Sequence, residues 1–394
     1  MKKTVTIIGG GPAAMLLAAH LNSNLFDVTI YEKNKAFGRK FLVAGKGGFN
    51  LTHSEDLTDF ISRFTPSNFL KEAITYFSND DLRIWLKSLN IPTFTGSSKR
   101  IYPEKGIKPI EVLTAILDNL KLKGVQLKTE QNWTGWNDKN ELTFESGLSL
   151  NSDITIFSLG GGSWKKTGSS GNWMKYFSDK HINTIPFEAS NCAYKIDWKN
   201  DFLIKNEGKP LKNIQINCKN NSKKGEVVIT NFGLEGGAIY ALSPQIREQL
   251  NQNKKADITI DLKPSLSFEE INAKLHPEKI TQQLVKSIKL EKAKVDLLKA
   301  HLTKEEFLNI NTLTKLIKNF PLEIIDLSPI DEAISTVGGI DLNEVDENFE
   351  LKKIPNNYTI GEMLDYDAPT GGYLLQSCFS MGTFLANHLN KKHE

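Results

Sequence analysis

The chain has 394 residues, 39% of them hydrophobic, enough for two or three domains and a sizeable core. Forty-nine basic residues against 46 acidic ones leave a formal charge of +3, which excludes a protein whose whole surface coats nucleic acid and leaves only local basic patches. Cys192, Cys218 and Cys378 lie far apart with no C-x-x-C pair, which argues against a disulfide framework or a metal site and suits a reducing, cytoplasmic compartment.

Met1-Lys-Lys before an apolar run resembles the start of a signal peptide, but the run stops at Gly9 and is read as a first strand. No apolar run reaches the roughly 18 residues of a membrane span. Thr4 to Ile8 is β-branched, Gly9, Gly11 and Ala14 fill a G-x-G-x-x-G/A turn, and Met15 to Leu21 has helix formers with no breaker. Val28 to Tyr31 then gives a second strand ending in Glu32, about twenty residues past the turn, where a dinucleotide-binding fold places its acidic ribose ligand. Gly9 permits the turn, Gly11 lets backbone approach a pyrophosphate, and Ala14 allows close helix packing. The amide groups around Pro12 and Ala13 open toward phosphate. Glu32 in place of a basic residue favours a 2′-hydroxyl, hence NAD or FAD over NADP.

Next comes KNKAFGRKFLVAGKGGFNLTHSE, where glycines, cations and apolar residues alternate as in a loop wrapped against an anionic ligand, with Lys33, Gly38, Arg39 and Lys40 as its contacts. Residues 56–63, 66–77 and 80–89 read as helices, the last started by Asn79 and Asp80, and 111–121 as an amphipathic helix ended by Gly124. Residues 124–129, 140–145 and 153–159 read as strands. The last runs into SLGGGSWKKTGSSGNW, a second glycine-rich turn that offers Gly160 and Gly161 to the same cofactor.

From about residue 190 the composition shifts. Residues 193–198, 211–218, 226–230 and 257–262 suggest strands, while 268–275, 281–288, 292–301 and 305–317 suggest helices. The expected organisation is a discontinuous cofactor domain, 1–189 with 336–394, an inserted β domain, 190–264 with 319–335, and an inserted helical domain, 265–318. The insert is rich in lysine, including Lys209, Lys212, Lys223 and Lys224, a candidate RNA surface. The chain closes with a strand at 358–360, then Gly361 and Glu362, then a turn at Gly371 and Gly372 opening a last helix to about residue 389. Glu362 is placed to hold hydroxyls of a flavin, and the helix N-terminus to stabilise negative charge beside it. Noncovalent attachment is expected, because no His or Cys sits in the nearest glycine loops. Lys46, Asn50, Tyr102 and Tyr373 are the candidate catalytic side chains, on loops expected to face the cofactor.

Taken in order, IIGGGPAAMLLAAHL, GRKFLVAGKGGFNLTH, RIYPEKGIKPIEVL, SLGGGSWKKTGSSG, GEVVITNFGLEGGAIYALS and TIGEMLDYDAPTGGYLLQSCFSMG resemble the YhiN/BaiN-like FAD-dependent flavoproteins, also called aminoacetone oxidase family FAD-binding enzymes. The resemblance spans nearly the whole chain. It implies an α/β fold, a glutathione-reductase-type Rossmann FAD-binding domain built from both chain ends with an inserted β unit and a helical unit. Many members have Arg-Cys-Asn where this chain has Gly48-Phe49-Asn50, and Phe-Pro where it has Tyr102-Pro103, which sets it in a distinct branch and removes a thiol from that position.

The leading expectation is an FAD-dependent oxidoreductase moving hydride through flavin N5 to or from a conjugated C=C or C=N substrate, with NADH or NADPH as electron donor. The alternatives are an RNA-modifying flavoenzyme that reduces a ribosomal uridine to dihydrouridine, a flavin-free NAD-dependent dehydrogenase, and a flavin-binding protein without turnover. A small-molecule substrate is favoured over RNA. Sequence leaves the oligomeric state open.

Overall fold

The structure is a computed structural model describing residues 1–43 and 48–394. It divides into two compact units, Met1–Glu188 with Ile334–Glu394, and Ala189–Ala333.

The first unit is built on a five-stranded parallel sheet. Its strands are β1 (Lys3–Ile8), β2 (Phe26–Tyr31), β3 (Gln126–Lys128), β4 (Ile154–Phe157) and β5 (Asn357–Thr359), in the spatial order β5-β4-β1-β2-β3. All four residues of β4 are buried, as expected of a parallel strand covered on both faces. The helices that matter for the site are α1 (Pro12–His20), α2 (Pro109–Leu122) and α3 (Tyr373–His393).

Two glycines set the close contacts of this unit. Gly9 has φ of +101°, and a Cβ there would lie 2.2 Å from the Ser158 carbonyl oxygen, so only glycine both adopts the turn and lets β1 end against β4. In α3, a Cβ on Gly382 would lie 2.4 Å from the Ala13 carbonyl oxygen, which brings the last helix onto the first turn of α1. A side cluster of aromatic rings, including Trp133, Trp136, Phe157 and Phe177, packs behind β4 at ring separations of 4.9 to 5.8 Å.

Several elements differ from the sequence reading for identifiable reasons. The helix expected from residue 66 starts at Lys71, because Thr65 is held extended by paired backbone bonds with Asp367 of 3.0 and 2.7 Å. The helix Asn79–Ser88 is capped by Ser78 and Asp81 in a reciprocal box, while the Asn79 amide turns away to donate to the His53 carbonyl at 2.7 Å. The helix expected over 305–317 is two, Lys304–Leu308 and Ile310–Lys318, because Asn309 caps the second by accepting the Thr312 N–H at 3.0 Å.

The second unit is a seven-stranded antiparallel sheet, in the order Phe320–Ile324, Ala256–Asp261, Pro210–Cys218, Asn221–Ile229, Gly233–Glu235, Tyr194–Lys195 and Asp326–Leu327. Strand residues such as Ile214 and Ile258 share one hydrophobic cluster with Leu284, Leu298 and Leu313 of the helices, so strands and helices form a single core here. Lys294 is buried in that unit, donating to the Leu262 carbonyl at 3.0 Å and to the Lys212 carbonyl.

Replacing a helical glycine by alanine ordinarily adds helix stability, about 0.5–1 kcal/mol. Gly382→Ala is expected to do the opposite and destabilise by about 1–3 kcal/mol, through collision with Ala13. An unchanged or raised denaturation midpoint would refute the packing role. Burial pushes the Lys294 ammonium down to about 8, against an ordinary lysine value of about 10.4. Between those values the unfolded chain holds a proton that the folded chain has released, so stability rises with pH. Urea titrations of the native protein and Lys294→Met should therefore diverge in favour of the native protein from about pH 8 to 10.4. A constant difference across that window would show that Lys294 stays charged in the fold.

Candidate functional site

A cleft of about 500 Å³ lies in the first unit, within the size range of ligand sites. Its floor is the turn between β1 and α1. The Gly10 N–H donates to Glu32 Oε2 at 2.9 Å, and the Asn34 N–H and side-chain amide donate to Oε1 at 2.8 and 2.6 Å. Glu32 thus locks the turn to the end of β2, and one of the roughly four acceptor positions of its carboxylate is left over. A Cβ on Gly10 would collide with Phe37 at 2.2 Å, whereas one on Gly11 would meet nothing within 4 Å. Gly11 therefore leaves a face clear of protein atoms at the start of α1, where no side chain caps the helix.

Cations surround this floor. Lys33, Arg39 and Lys40 line the cleft, and burial lowers the Lys33 pKa against the opposing pull of Glu32. Uncapped helix amides, an uncovered glycine face, an acidic ribose-type acceptor and three cations fit a dinucleotide with a pyrophosphate.

Gly361, Glu362 and Cys378 also line the cleft, and a Cβ on Gly361 would lie 3.4 Å from Ala13 Cβ at the start of α1. Glu362 is buried and pairs with Lys40 Nζ at 2.7 Å, while its second oxygen accepts the Thr336 N–H at 3.2 Å. Lys40 also donates to Ser163 Oγ at 3.0 Å. Burial, with Glu362 beside it, pushes the Cys378 thiol up to about 12, so the sulfur stays protonated near neutral pH and is a poor nucleophile.

Of the cofactor candidates, Gly9, Gly11, Pro12, Ala13, Glu32, Lys33, Gly38, Arg39, Lys40, Gly160, Gly361 and Glu362 line the cleft. Ala14 is fully buried behind it. Gly161 serves packing, since a Cβ there would lie 2.1 Å from Thr336 Oγ1 and 2.9 Å from the Glu362 carboxyl carbon. Gly371 and Gly372 are outside the lining, and Gly372 lets α3 start against Thr52, 2.5 Å from where its Cβ would be.

Of the catalytic candidates, the described ones, Asn50, Tyr102 and Tyr373, are outside the lining of this cleft. Lys46 lies outside the described residues. Asn50 donates its N–H to the Gly48 carbonyl at 2.8 Å, and the Tyr102 ring stacks on Phe94 with centroids 5.6 Å apart. Tyr373 is buried, stacks on His53 at 5.2 Å, and donates its hydroxyl to Glu55 Oε1. Burial alone would raise the Glu55 pKa, but Arg63, bonded through two nitrogens at 3.1 and 2.9 Å, and Tyr373 bring it below the ordinary range. Burial and Glu55 raise the Tyr373 phenol well above its usual value, so it is a locked donor and a weak acid.

Sequence reasoning missed Gly10 and Asn34, which fasten Glu32, and the aromatic residues Trp133, Trp173 and Tyr176, which also line the cleft. The signal for the last three was present in WTGW and GNWMKYF, aromatic clusters beside a glycine-rich turn.

The fold and cleft are those of a Rossmann-type dinucleotide-binding unit. The chain belongs to the HI0933-like protein Rossmann domain family, whose model matches residues 3–388. It is similar to the 3-dehydro-bile acid delta(4,6)-reductase of Clostridium scindens, 23% identical over 406 positions that cover 96% of this chain and 97% of the reductase. It is also similar to the ribosomal RNA dihydrouridine synthase of Haemophilus influenzae, 23% identical over 409 positions, covering 95% of each chain. Among solved structures, the open conformation of a flavocytochrome c3 fumarate reductase matches with a TM-score of 0.52 at 12% identity, covering 99% of this chain and 78% of that one, a likeness of fold. Among the described residues no group of His, Cys, Asp and Glu is arranged to hold a metal ion, and no helix is long and apolar enough to cross a membrane.

Lys40→Met strands the Glu362 carboxylate without its cation. The expected loss is about 1.5–3 kcal/mol of unfolding free energy, with part of it recovered in Lys40→Met/Glu362→Gln. Equal stability of Lys40→Met and the native protein would show that the pair contributes nothing to the fold.

Proposed function

We propose that the protein is a flavin-dependent reductase that moves hydride to a small conjugated substrate bearing a C=C or C=N bond, with NADH or NADPH as electron donor. The observation that carries this reading is the Gly11 face, clear of neighbouring atoms and flanked by Glu32, in a chain related over nearly its whole length to two named activities. Both names, a delta(4,6)-reductase and a dihydrouridine synthase, denote hydrogen added across a C=C bond. Bound FAD supplies the two-electron chemistry at its N5 atom. The chain supplies binding and orientation. The backbone N–H groups of Gly11 and Ala13 would receive the pyrophosphate and the remaining acceptor position of Glu32 a ribose hydroxyl, while the Lys40–Glu362 pair holds its part of the lining in one arrangement. Attachment is noncovalent on this reading, since Cys378, the cysteine in the lining, is held as a protonated thiol.

A second reading, RNA as substrate, is favoured by one observation. The hairpin of Pro210–Cys218 and Asn221–Ile229 carries Lys212, Lys219, Lys223 and Lys224. Lys219 is paired with Glu248 at 2.8 Å, and the near-neutral total charge favours the small substrate.

The protein should purify yellow and release intact FAD on acid precipitation. Anoxic spectra should show bleaching of the flavin by NADH or NADPH and recovery on adding a soluble enone. A colourless protein that cannot be reconstituted, or release of NAD alone, excludes the flavin reading, and a flavin that no donor reduces points to a binding protein without turnover. Glu32→Ala should lower FAD affinity roughly tenfold to a hundredfold or more, because it removes a charge-assisted bond to ribose together with the carboxylate that holds the Gly10 turn. RNA binding that falls with salt at a log-log slope near −0.7 per phosphate, and is lost on reversing Lys209, Lys212, Lys223 and Lys224 to Glu, would instead favour the second reading.

A further inference from the structure

We infer that the Glu32 end of the cleft is an aromatic seat for adenine, with the Tyr176 ring, backed by Trp133 and flanked by Trp173, receiving the base of the bound dinucleotide. The inference rests on the FAD reading above and names which half of the ligand the aromatic wall takes.

The Glu32 carbonyl accepts the Gln131 N–H at 3.0 Å, so the chain leading into Trp133 runs directly beside the ribose-type acceptor. The segment after the second glycine turn folds back to the same place, since a Cβ on Gly168 would lie 2.5 Å from Asn34 Nδ2 and 3.3 Å from Lys33 Cε. Within that segment the Trp173 indole is fixed by donating to the Gly160 carbonyl at 3.0 Å. The Tyr176 ring meets Trp133 edge-on, with centroids 5.1 Å apart and planes at 70°. It is seated on Gly135, where a Cβ would come within 2.9 Å of Tyr176 Cδ1.

Trp133 and Trp173 belong to the core of this unit, and half-buried Tyr176 packs against it at the cleft. Trp133, Trp173 and Tyr176 all line the cleft, and Tyr176 is half-buried, with the exposed Lys175 ammonium 4.8 Å over its ring. The face that carries the Lys175 ammonium is one a flat base could take in its place, without demanding a particular hydrogen-bond pattern. A base attached to a ribose held by Glu32 must lie within one sugar's length of that carboxylate, and the aromatic residues of the lining are these three together with Tyr31, at the end of β2, and Phe41.

The test uses apoprotein stripped of flavin and titrated with FAD, FMN and ADP, read by flavin fluorescence. Tyr176→Ala should weaken FAD binding roughly tenfold or more, the usual effect of losing a stacked base, while leaving FMN binding, which involves no adenine, unchanged. Tyr176→Phe should bind FAD as the native protein does, because the ring and not the hydroxyl makes the contact. ADP should displace FAD at concentrations where inorganic pyrophosphate does not. The seat is overturned if Tyr176→Ala retains native FAD affinity, if FMN affinity falls in step with FAD, or if Tyr176→Phe fails as badly as Tyr176→Ala. Should Tyr176→Ala not fold, the ADP competition decides, and ADP no better than pyrophosphate overturns the seat. Apoprotein that binds neither FAD nor ADP overturns the underlying FAD reading instead, so the two failures are told apart.

Discussion

The cleft depends on how closely the backbone can approach itself at the first glycine turn. Gly9 admits the Ser158 carbonyl to a position where any side chain would overlap it, and Gly382 does the same for the Ala13 carbonyl. One contact ties the turn to β4, the other to the last helix. Residues from positions 9, 158 and 382 must therefore be in place together before the phosphate-binding geometry exists. This explains how a unit can be interrupted by some 145 residues, 189–333, and still hold one cofactor-type cleft. The second unit has a separate hydrophobic cluster, so the interruption need not supply packing to the first.

Charge in the cleft is arranged by the same economy of position. Glu32 is occupied on both oxygens by amides of its own neighbourhood, and Glu362 by Lys40 and the Thr336 N–H. Neither carboxylate is left as a bare buried charge, which would be costly. The Cys378 thiol stays protonated for the same reason, because a thiolate would sit beside Glu362 with little water around it. What remains for an incoming ligand is mainly backbone dipole, one cationic rim and a set of ring faces. Such a surface is complementary in charge to a polyanion.

The dinucleotide-binding turn was legible from spacing, because β1, the glycine turn and Glu32 obey local rules that tertiary contacts do not override, whereas the family was legible through the resemblance of six ordered segments. The last helix was legible for a similar reason, with two glycines marking its start. Less was legible where side chains answer to distant partners. Nothing in the local sequence says that Tyr373 will give its hydroxyl to Glu55, more than three hundred residues earlier, or that Thr65 will pair with Asp367 and delay a helix. Short strands such as Trp133–Trp136 also escaped, since four residues containing a glycine carry little periodicity. The aromatic wall was missed because its rings come from two segments whose proximity is fixed only by the fold.

Tyr373, a catalytic candidate from its place in the sequence, makes contacts in the structure that the sequence does not show. It follows two glycines at the start of a long helix, where a phenol could face a reacting group. Its hydroxyl is instead bound to Glu55, itself held by Arg63 through two nitrogens, while its ring lies between His53 and Phe60 at 5.2 and 4.7 Å. A phenol with a raised pKa that already donates to a carboxylate cannot readily give that proton to a substrate, and moving the ring would break the Arg63–Glu55 pair's third partner. The same bonds fix the first turn of α3, and through Gly382 that helix fixes the phosphate turn. The Tyr373 cluster thus ties the start of α3 to Glu55, outside the residues that line the cleft.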